Sequence, residues 1–232
     1  MASRAGYRPE DQPVRLALFD LDHTLIPFDS GLAWTRYLVR AGALDAQAEQ
    51  RYLGFCHQYV AGTLDIYAMH RASMAPLQAF TAAQLHAWRD DFARQIDAEL
   101  PASTRALVAQ HQARGDVCAI VTATSRWVAE PFARAFRVEH LLATEADTVA
   151  GRPGEEIRGL ACYREHKRTH VDAWLQQQVL PTLERFEASW FYSDSVSDLP
   201  LLEAVTHPVA VHPDEQLRTH AEARGWRIAE PA

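Results

Sequence analysis

Six short apolar runs, each too brief for a helix, set the limits on how this chain folds. They read "VRLALF", "VCAIV", "HLLAT", "ASWFYS", "PVAVH" and "GWRIA", with helical or turn sequence between them. Strands that alternate with helices pair in parallel, because the crossover helix carries the chain back to the start of the next strand. Their near-continuous hydrophobicity is that of strands buried on both faces.

The expected class is therefore α/β: a Rossmann-like, doubly wound parallel sheet. Between the first run and the rest lies a block without a convincing strand. "DSGLAWTRYLVRAG" offers Asp29 or Ser30 as an N-cap and Gly42 as a stop, and helical stretches follow near 45–61, 63–74 and 81–99. The block reads as an insertion that leaves the core at Pro27 and re-enters near 100–101. Residues 1–27 and 101–232 are then the α/β core, and 28–100 an inserted all-helical unit. Further on, "RWVAEPFARAF" reads as a helix interrupted or begun around Pro131, "EHKRTHVDAWLQQQVL" as a second helix, and the Gly-rich "VAGRPGEEIRG" as a turn.

Composition narrows the function classes. Lys plus Arg number 23 against 30 Asp plus Glu, a formal charge of -7, and no basic run offers a phosphate-backbone footprint. Nucleic acid is thus not an expected partner. The opening "MASRAGYRPEDQPVR" lacks the apolar centre of a signal peptide, and no segment has the length of a membrane span. Cys56, Cys118 and Cys162 are far apart and lack metal-ligand spacing, so they read as reduced thiols. The expectation is a cytoplasmic protein without membrane contact, monomeric or homodimeric.

Chemistry concentrates at the strand ends, where open parallel sheets bind their ligands. The first strand ends in Asp20-Leu21-Asp22-His23-Thr24, and "VCAIV" runs into Thr122-Ala123-Thr124-Ser125. "ASWFYS" ends in Asp194-Ser195-Val196-Ser197-Asp198, and Lys167 stands at the start of the helix "EHKRTH". Converging there, these make four carboxylates, one ammonium and several hydroxyls. Carboxylates sharing a pocket cannot all stay ionised unaided. A hard divalent ion with oxygen ligands resolves the conflict, and Mg²⁺ takes a few carboxylates, waters and substrate phosphate.

These segments carry a resemblance. D-x-D-x-T after an apolar strand, Thr closing the second strand, a downstream Lys, and an apolar strand followed by D-x-x-x-D resemble the haloacid dehalogenase superfamily. "FDLDHTL", "VTATS", "EHK" and "YSDSVSDLPLLEAV" supply the four motifs in order, in the manner of its phosphatase branch that includes phosphoserine phosphatase. The resemblance implies a hydrolase acting on a small phosphorylated metabolite. Asp20 would be the nucleophile that forms an aspartyl-phosphate, and Asp22 the acid and base serving the leaving oxygen and the water. The Asp20 carboxylate, the Asp22 backbone carbonyl and the Asp194 carboxylate would hold Mg²⁺, with Asp198 supporting the metal's waters. Thr122 and Lys167 would meet the phosphoryl oxygens. His23 falls at a position that varies in the family.

In this family the insert acts as a cap that selects substrate. The branch's usual glutamate, which meets a substrate amine, corresponds here to Asp29, and its cap arginine to Ser73, with Arg71 two residues earlier on a different helix face. Asp29, Trp34 and Arg71 are the candidate substrate contacts. An acidic Asp29 beside Phe28 and Trp34 suits a cationic phosphomonoester, of which histidinol phosphate is one. A signalling receiver domain shares Asp, Mg²⁺, Thr and Lys, but there the phosphorylated Asp follows the third strand. A hydrolytic dehalogenase needs no acid at the position of Asp22. A phosphotransferase or mutase would share every core motif, and a non-enzymatic phospho-acceptor or binding protein is disfavoured by intact motifs.

Overall fold

The computed structural model describes residues 14–229; the expectations for 1–13, including the absence of a signal peptide, and for 230–232 lie outside the described residues. In chain order the elements are β1 (Arg15–Phe19), α1 (Ser30–Arg40), α2 (Gln47–Val60), α3 (Ile66–Met74), a 3-10 turn (Ala75–Ala79), α4 (Ala82–Asp97) and α5 (Ala102–Ala113). There follow β2 (Val117–Ser125), α6 (Arg126–Ala135), β3 (His140–Thr144), β4 (Ala146–Val149), β5 (Arg152–Ile157) and α7 (Glu165–Gln177). The chain continues through β6 (Ala188–Ser193), α8 (Leu199–Leu202), β7 (His207–Val211), α9 (Glu215–Arg224) and β8 (Arg227–Ala229).

The main sheet has the order β3-β2-β1-β6-β7-β8, and every pairing in it is parallel. From β1 the chain builds outward to β2 and β3, then crosses to the other side of β1 with β6. The order therefore reverses at the β1–β6 seam, where such sheets leave a crevice beyond their carboxyl ends. Alternate residues of β1 serve opposite faces: Leu16 and Leu18 join Val171, Leu175 and Leu201 on one side, Ala17 and Phe19 join Val128 and Phe132 on the other. The α/β class expected from the strand pattern is what forms.

Helices α1–α4 stand between β1 and α5, and no strand interrupts them. Their starts follow from local chemistry. Asp29 Oδ1 accepts from the Leu32 N–H at 2.7 Å, and Thr81 with Gln84 forms a capping box on α4. Trp34, Tyr37 and Phe92 form an aromatic cluster inside this block, and Phe92 meets Phe132 of α6 edge-on at 5.9 Å between ring centroids. The block thereby shares one hydrophobic cluster with a face of the sheet.

Two local readings change. The helix around Pro131 starts at Arg126 and runs through the proline, which costs one backbone bond but not the helix. The Gly-rich stretch is more than a turn. β4 and β5 pair antiparallel around Ala150 and Gly151, both at positive φ (51° and 76°). That is the backbone of a two-residue primed turn, normally announced by Asn-Gly or Asp-Gly; alanine in the first place hides the signal. At Gly154 a Cβ would lie 2.8 Å from the Asp147 carbonyl oxygen, so the ribbon needs glycine there.

This ribbon reaches the helical block. Arg71 Nε donates to Glu156 Oε1 at 2.9 Å, Gln78 Nε2 to the Pro153 carbonyl at 2.8 Å, and Arg152 Nη1 to the Gln78 and Phe80 carbonyls at 2.8 and 3.0 Å. Among the described residues no helix is long and apolar enough to cross a membrane.

Candidate active site

β1 delivers Asp20 to the crevice with its backbone already fixed, since the Asp20 N–H donates to the Tyr192 carbonyl of β6 at 2.9 Å. The Asp20 carboxylate is buried and faces Lys167, whose Nζ lies 2.6 Å from Asp20 Oδ1 and 2.7 Å from Asp198 Oδ2. Lys167 is in the first turn of α7 and is itself buried. The arginines of "REHKR" point elsewhere: Arg168 bonds Glu184 at 2.9 Å, and Arg164 the Gly62 carbonyl at 2.9 Å. Ser193 Oγ donates to Asp198 Oδ2 at 2.7 Å. Asp198 stands before α8 yet makes no side-chain cap there; its carboxylate is turned inward to the lysine instead.

Thr24 Oγ1 sits 3.2 Å from Asp20 Oδ2 and 3.3 Å from Asp194 Oδ1, so one hydroxyl ties the two strand-end carboxylates together. Thr122 is buried inside β2, three residues before the strand ends, and its hydroxyl accepts from the Thr124 N–H at 3.2 Å. His23 lies in the turn between these motif residues, exposed and at φ 57°, a conformation His tolerates better than β-branched residues.

Asp22 faces away from this array. Its Oδ1 accepts from the Ser30 N–H at 2.7 Å and its Oδ2 from Thr124 Oγ1 at 2.8 Å, while Ser30 Oγ and Thr124 Oγ1 are 3.0 Å apart. The sequence marks Asp22 but not these partners. Thr124 is legible in part, since two residues on from Thr122 it shares that residue's face of an extended strand. Ser30 is not, because it reaches Asp22 only when the start of α1 folds back over β1.

Burial dominates the electrostatics. It raises the Asp20 carboxyl above its usual range against the pull of Lys167, and raises Asp22 to about 6 with help from the charge of Asp29. Asp198 is also pushed to about 6 by burial, although Lys167 opposes the shift. Asp194 is driven well above the ordinary carboxylate value by burial, then by Asp20 and Asp198. Burial works against the Lys167 ammonium, but Asp198 and Asp20 outweigh it and hold its pKa well above normal.

One ammonium among four carboxylates leaves the pocket short of positive charge, and the buried Asp198 Oδ1 has no hydrogen-bond partner. All the donors are hard oxygens. Among the described residues no three Asp, Glu, His or Cys side chains converge as a ready-made cage. A cation that binds through one or two carboxylates and keeps its waters, as Mg²⁺ does, fits that donor set.

Of the three insert candidates, two approach this region. Asp29 caps α1 and lies close enough to Asp22 to raise it; its own carboxyl is raised by burial and bonded by Tyr52. Gly31 is what lets Tyr52 in, because a Cβ there would collide with the tyrosine hydroxyl. Trp34 is buried and lines a cavity that also touches Thr124. Arg71 is not brought here. It is exposed and held by Glu156 on the ribbon. Ser73, at the position of the branch's cap arginine, lines the same cavity as Trp34, with its hydroxyl donating to the Met69 carbonyl at 2.9 Å. From α2, Tyr59 Oη bridges to Ser195 Oγ at 2.8 Å and Ser197 Oγ at 3.0 Å, closing the helical block onto the loop after β6. Nothing in the sequence pattern flags Tyr59.

Three comparisons place this geometry. Residues 17–203 match the model of the haloacid dehalogenase-like hydrolases. The chain is 35% identical over 216 residues to a histidinol-phosphatase of Neisseria meningitidis serogroup C (strain 8013), spanning 92% of this chain and 97% of that one. Among solved structures, a protein of unknown function from Bordetella pertussis Tohama I superposes with a TM-score of 0.87 at 42% identity, over 94% of this chain and 99% of that one. A substrate-bound phosphoserine phosphatase superposes with a TM-score of 0.67 over 95% of each chain; at 14% identity it shares the fold. With the model match running from β1 past the β6 loop, the chain belongs to the haloacid dehalogenase-like hydrolase family.

Proposed function

We propose that this protein is a Mg²⁺-dependent phosphomonoesterase that hydrolyses a small cationic ester, with histidinol phosphate the foremost candidate, through an aspartyl-phosphate on Asp20. The observation that carries the reading is the division of labour between two aspartates two residues apart. Asp20 is drawn to Lys167, while Asp22 is held on the other side by Ser30 and Thr124.

In this reading Asp20 attacks phosphorus in line, and Lys167 and Thr122 receive the phosphoryl oxygens as charge spreads over them. Asp22 gives its proton to the departing alkoxide and then takes one from the water that attacks phosphorus of the aspartyl-phosphate, freeing phosphate and restoring the Asp20 carboxylate. Its elevation to about 6 suits a group that must carry a proton in one half-reaction and lose it in the next. The Asp20 carboxylate, the Asp22 carbonyl and Asp194 would hold the metal, with Asp198 beside them, and the metal supplies charge neutralisation for the incoming phosphate. Residues 28–100 act as the cap.

The substrate class follows from charge. The cavity next to Thr124 is lined by neither Lys nor Arg, Arg71 is engaged elsewhere, and the charge of Asp29 adds to that of Asp22 beside Thr124. A leaving group with an ammonium is favoured, and one with a carboxylate is opposed. The name carried by the Neisseria relative agrees with this. The test is a panel of phosphomonoesters assayed with Mg²⁺ and with EDTA. Histidinol phosphate should exceed phosphoserine in kcat/KM, and EDTA should silence both. Preference for phosphoserine, or undiminished turnover in EDTA, would refute the assignment.

A further inference from the structure

Among the described residues six buried side-chain atoms have neither a hydrogen-bond nor an ion-pair partner, and three of them belong to residues lining one chamber: Trp34 Nε1, His70 Nε2 and Ser125 Oγ. Buried polar atoms are nearly always paired, because an unpaired one has given up its water for nothing in return. Three around one space is not the pattern of a finished core. The residues are 4%, 5% and 7% exposed, and they come from separate elements: α1, α3 and the end of β2. The chamber between them has a volume of about 40 Å³ and is lined as well by apolar Ile66, Met69 and Val128 and by the hydroxyl-bearing Thr35, Ser73 and Thr144.

Its position relative to the chemistry is fixed by Thr124, which lines the chamber and donates to Asp22 Oδ2 at 2.8 Å. An alcohol leaving from the Asp22 side therefore extends toward this space. The donor and acceptor set is also definite. The indole N–H only donates. One nitrogen of His70 bonds the Gly154 backbone, which favours a proton there, and burial keeps the ring's pKa below its usual value. The neutral ring then offers Nε2 as an acceptor, and Ser125 serves either way.

We infer that this chamber receives the far end of the leaving group, and that His70, Trp34 and Ser125 select a small planar ring carrying both a hydrogen-bond donor and an acceptor. A neutral imidazole is the smallest common ring of that kind. Its N–H satisfies His70 Nε2 and its bare nitrogen takes the indole proton, while the apolar walls cover its faces. The inference rests on the phosphatase reading for the direction of the leaving group, and it adds a specificity function to residues outside the family's motifs. His70 in particular looks, from sequence, like one more residue of a helix interior.

The test compares two esters with the same ammonium-to-phosphate spacing, histidinol phosphate and 2-aminoethyl phosphate, together with calorimetric binding of the alcohol histidinol to the intact protein. His70→Phe keeps a ring and removes the acceptor; Ser125→Ala is a smaller change on a different element. Each should lower kcat/KM for the ring ester about tenfold to a hundredfold, the value of a hydrogen bond inside a closed pocket. Each should leave 2-aminoethyl phosphate within about threefold and weaken histidinol binding. Should His70→Phe fail to fold, Ser125→Ala carries the same comparison. Variants that lose both esters equally, or that shift only the melting temperature, would mean the three atoms hold structural water, and the inference falls while the phosphatase reading stands. If wild-type protein turns over no ester but binds histidinol in a His70-dependent way, the phosphatase reading falls and the chamber assignment stands. If it neither binds histidinol nor discriminates between the esters, the chamber assignment falls.

Discussion

Asp20 and Asp22 are separated by one leucine, yet they belong to differently built halves of the pocket. Around Asp20 every partner comes from the core: Lys167 from α7, Thr24 from the turn after β1, Asp194, Asp198 and Ser193 from the end of β6. Around Asp22 the partners are divided, Thr124 from β2 but Ser30 and the nearby Asp29 from the helical block. The first half is a set of charges held by strand ends that pack into both apolar layers. The second is a joint between two structural units. A phosphoryl group is the same in every substrate and suits the fixed half; an alcohol differs from substrate to substrate and suits the joint.

The comparison breaks most sharply at Asp20. Asp20→Asn preserves shape but removes the proposed nucleophile, and steady-state turnover should vanish for every ester. Measurable turnover in that variant would mean that the fixed half is not where the bond to phosphorus forms.

Asp22→Asn comes next, with a loss of ~10²–10⁴-fold on alkyl esters, the usual worth of general acid–base catalysis. In single-turnover measurements the loss should shrink for nitrophenyl phosphate, whose leaving group needs no proton. Equal losses on both would remove Asp22 from the leaving-group side.

Asp29→Ala tests the joint directly. Paired with a substrate ammonium in a closed site, Asp29 should be worth roughly 2–5 kcal/mol on the cationic ester and little on nitrophenyl phosphate. If it serves only as the N-cap of α1, the change costs about 1 kcal/mol of stability and leaves the ratio of the two substrates alone. Measuring kcat/KM for both with the melting temperature separates the outcomes.

Smallest is Tyr59→Phe, which deletes the hydroxyl that joins α2 to Ser195 and Ser197. Neutral hydrogen bonds of this kind contribute about 1 kcal/mol. The variant should raise KM for the cationic ester severalfold while single-turnover chemistry on bound ester stays near wild type. A fall in the chemical step instead would place Tyr59 in the fixed half.

The two halves are unequally legible in the sequence. The fixed half is written locally: Asp20 and Asp194 directly follow apolar runs, and the rule of carboxyl-end sites is enough to draw up Asp20, Thr122, Lys167, Asp194 and Asp198 as one candidate set, of which the structure links Asp20, Lys167, Asp194 and Asp198 directly or through Thr24. The joint depends on how helices pack, which periodicity does not encode. Asp29 is readable as a cap, but its closeness to Asp22 is not, and Arg71 looks available until β5 supplies Glu156. His70 and Tyr59 have no signature at all, since an aromatic residue on an amphipathic helix usually means core. The β4–β5 ribbon is concealed by Ala150, a residue with no preference for the positive φ it adopts.

That ribbon also decides what counts as a module in this molecule. By chain connectivity the helical block joins the core near Pro27 and near 100–101, and it also packs on α6 through Phe92 and Phe132. Residues 146–157 add a further support from another element, through Arg71–Glu156, Gln78–Pro153 and the Arg152 contacts. Any swing must either break those bonds or take the ribbon along. A segment exchange that keeps these bonds intact is therefore discontinuous in sequence. A chimera that transplants 28–100 alone sets a foreign block on the wrong support, whereas one that carries 146–157 with it moves block and support together.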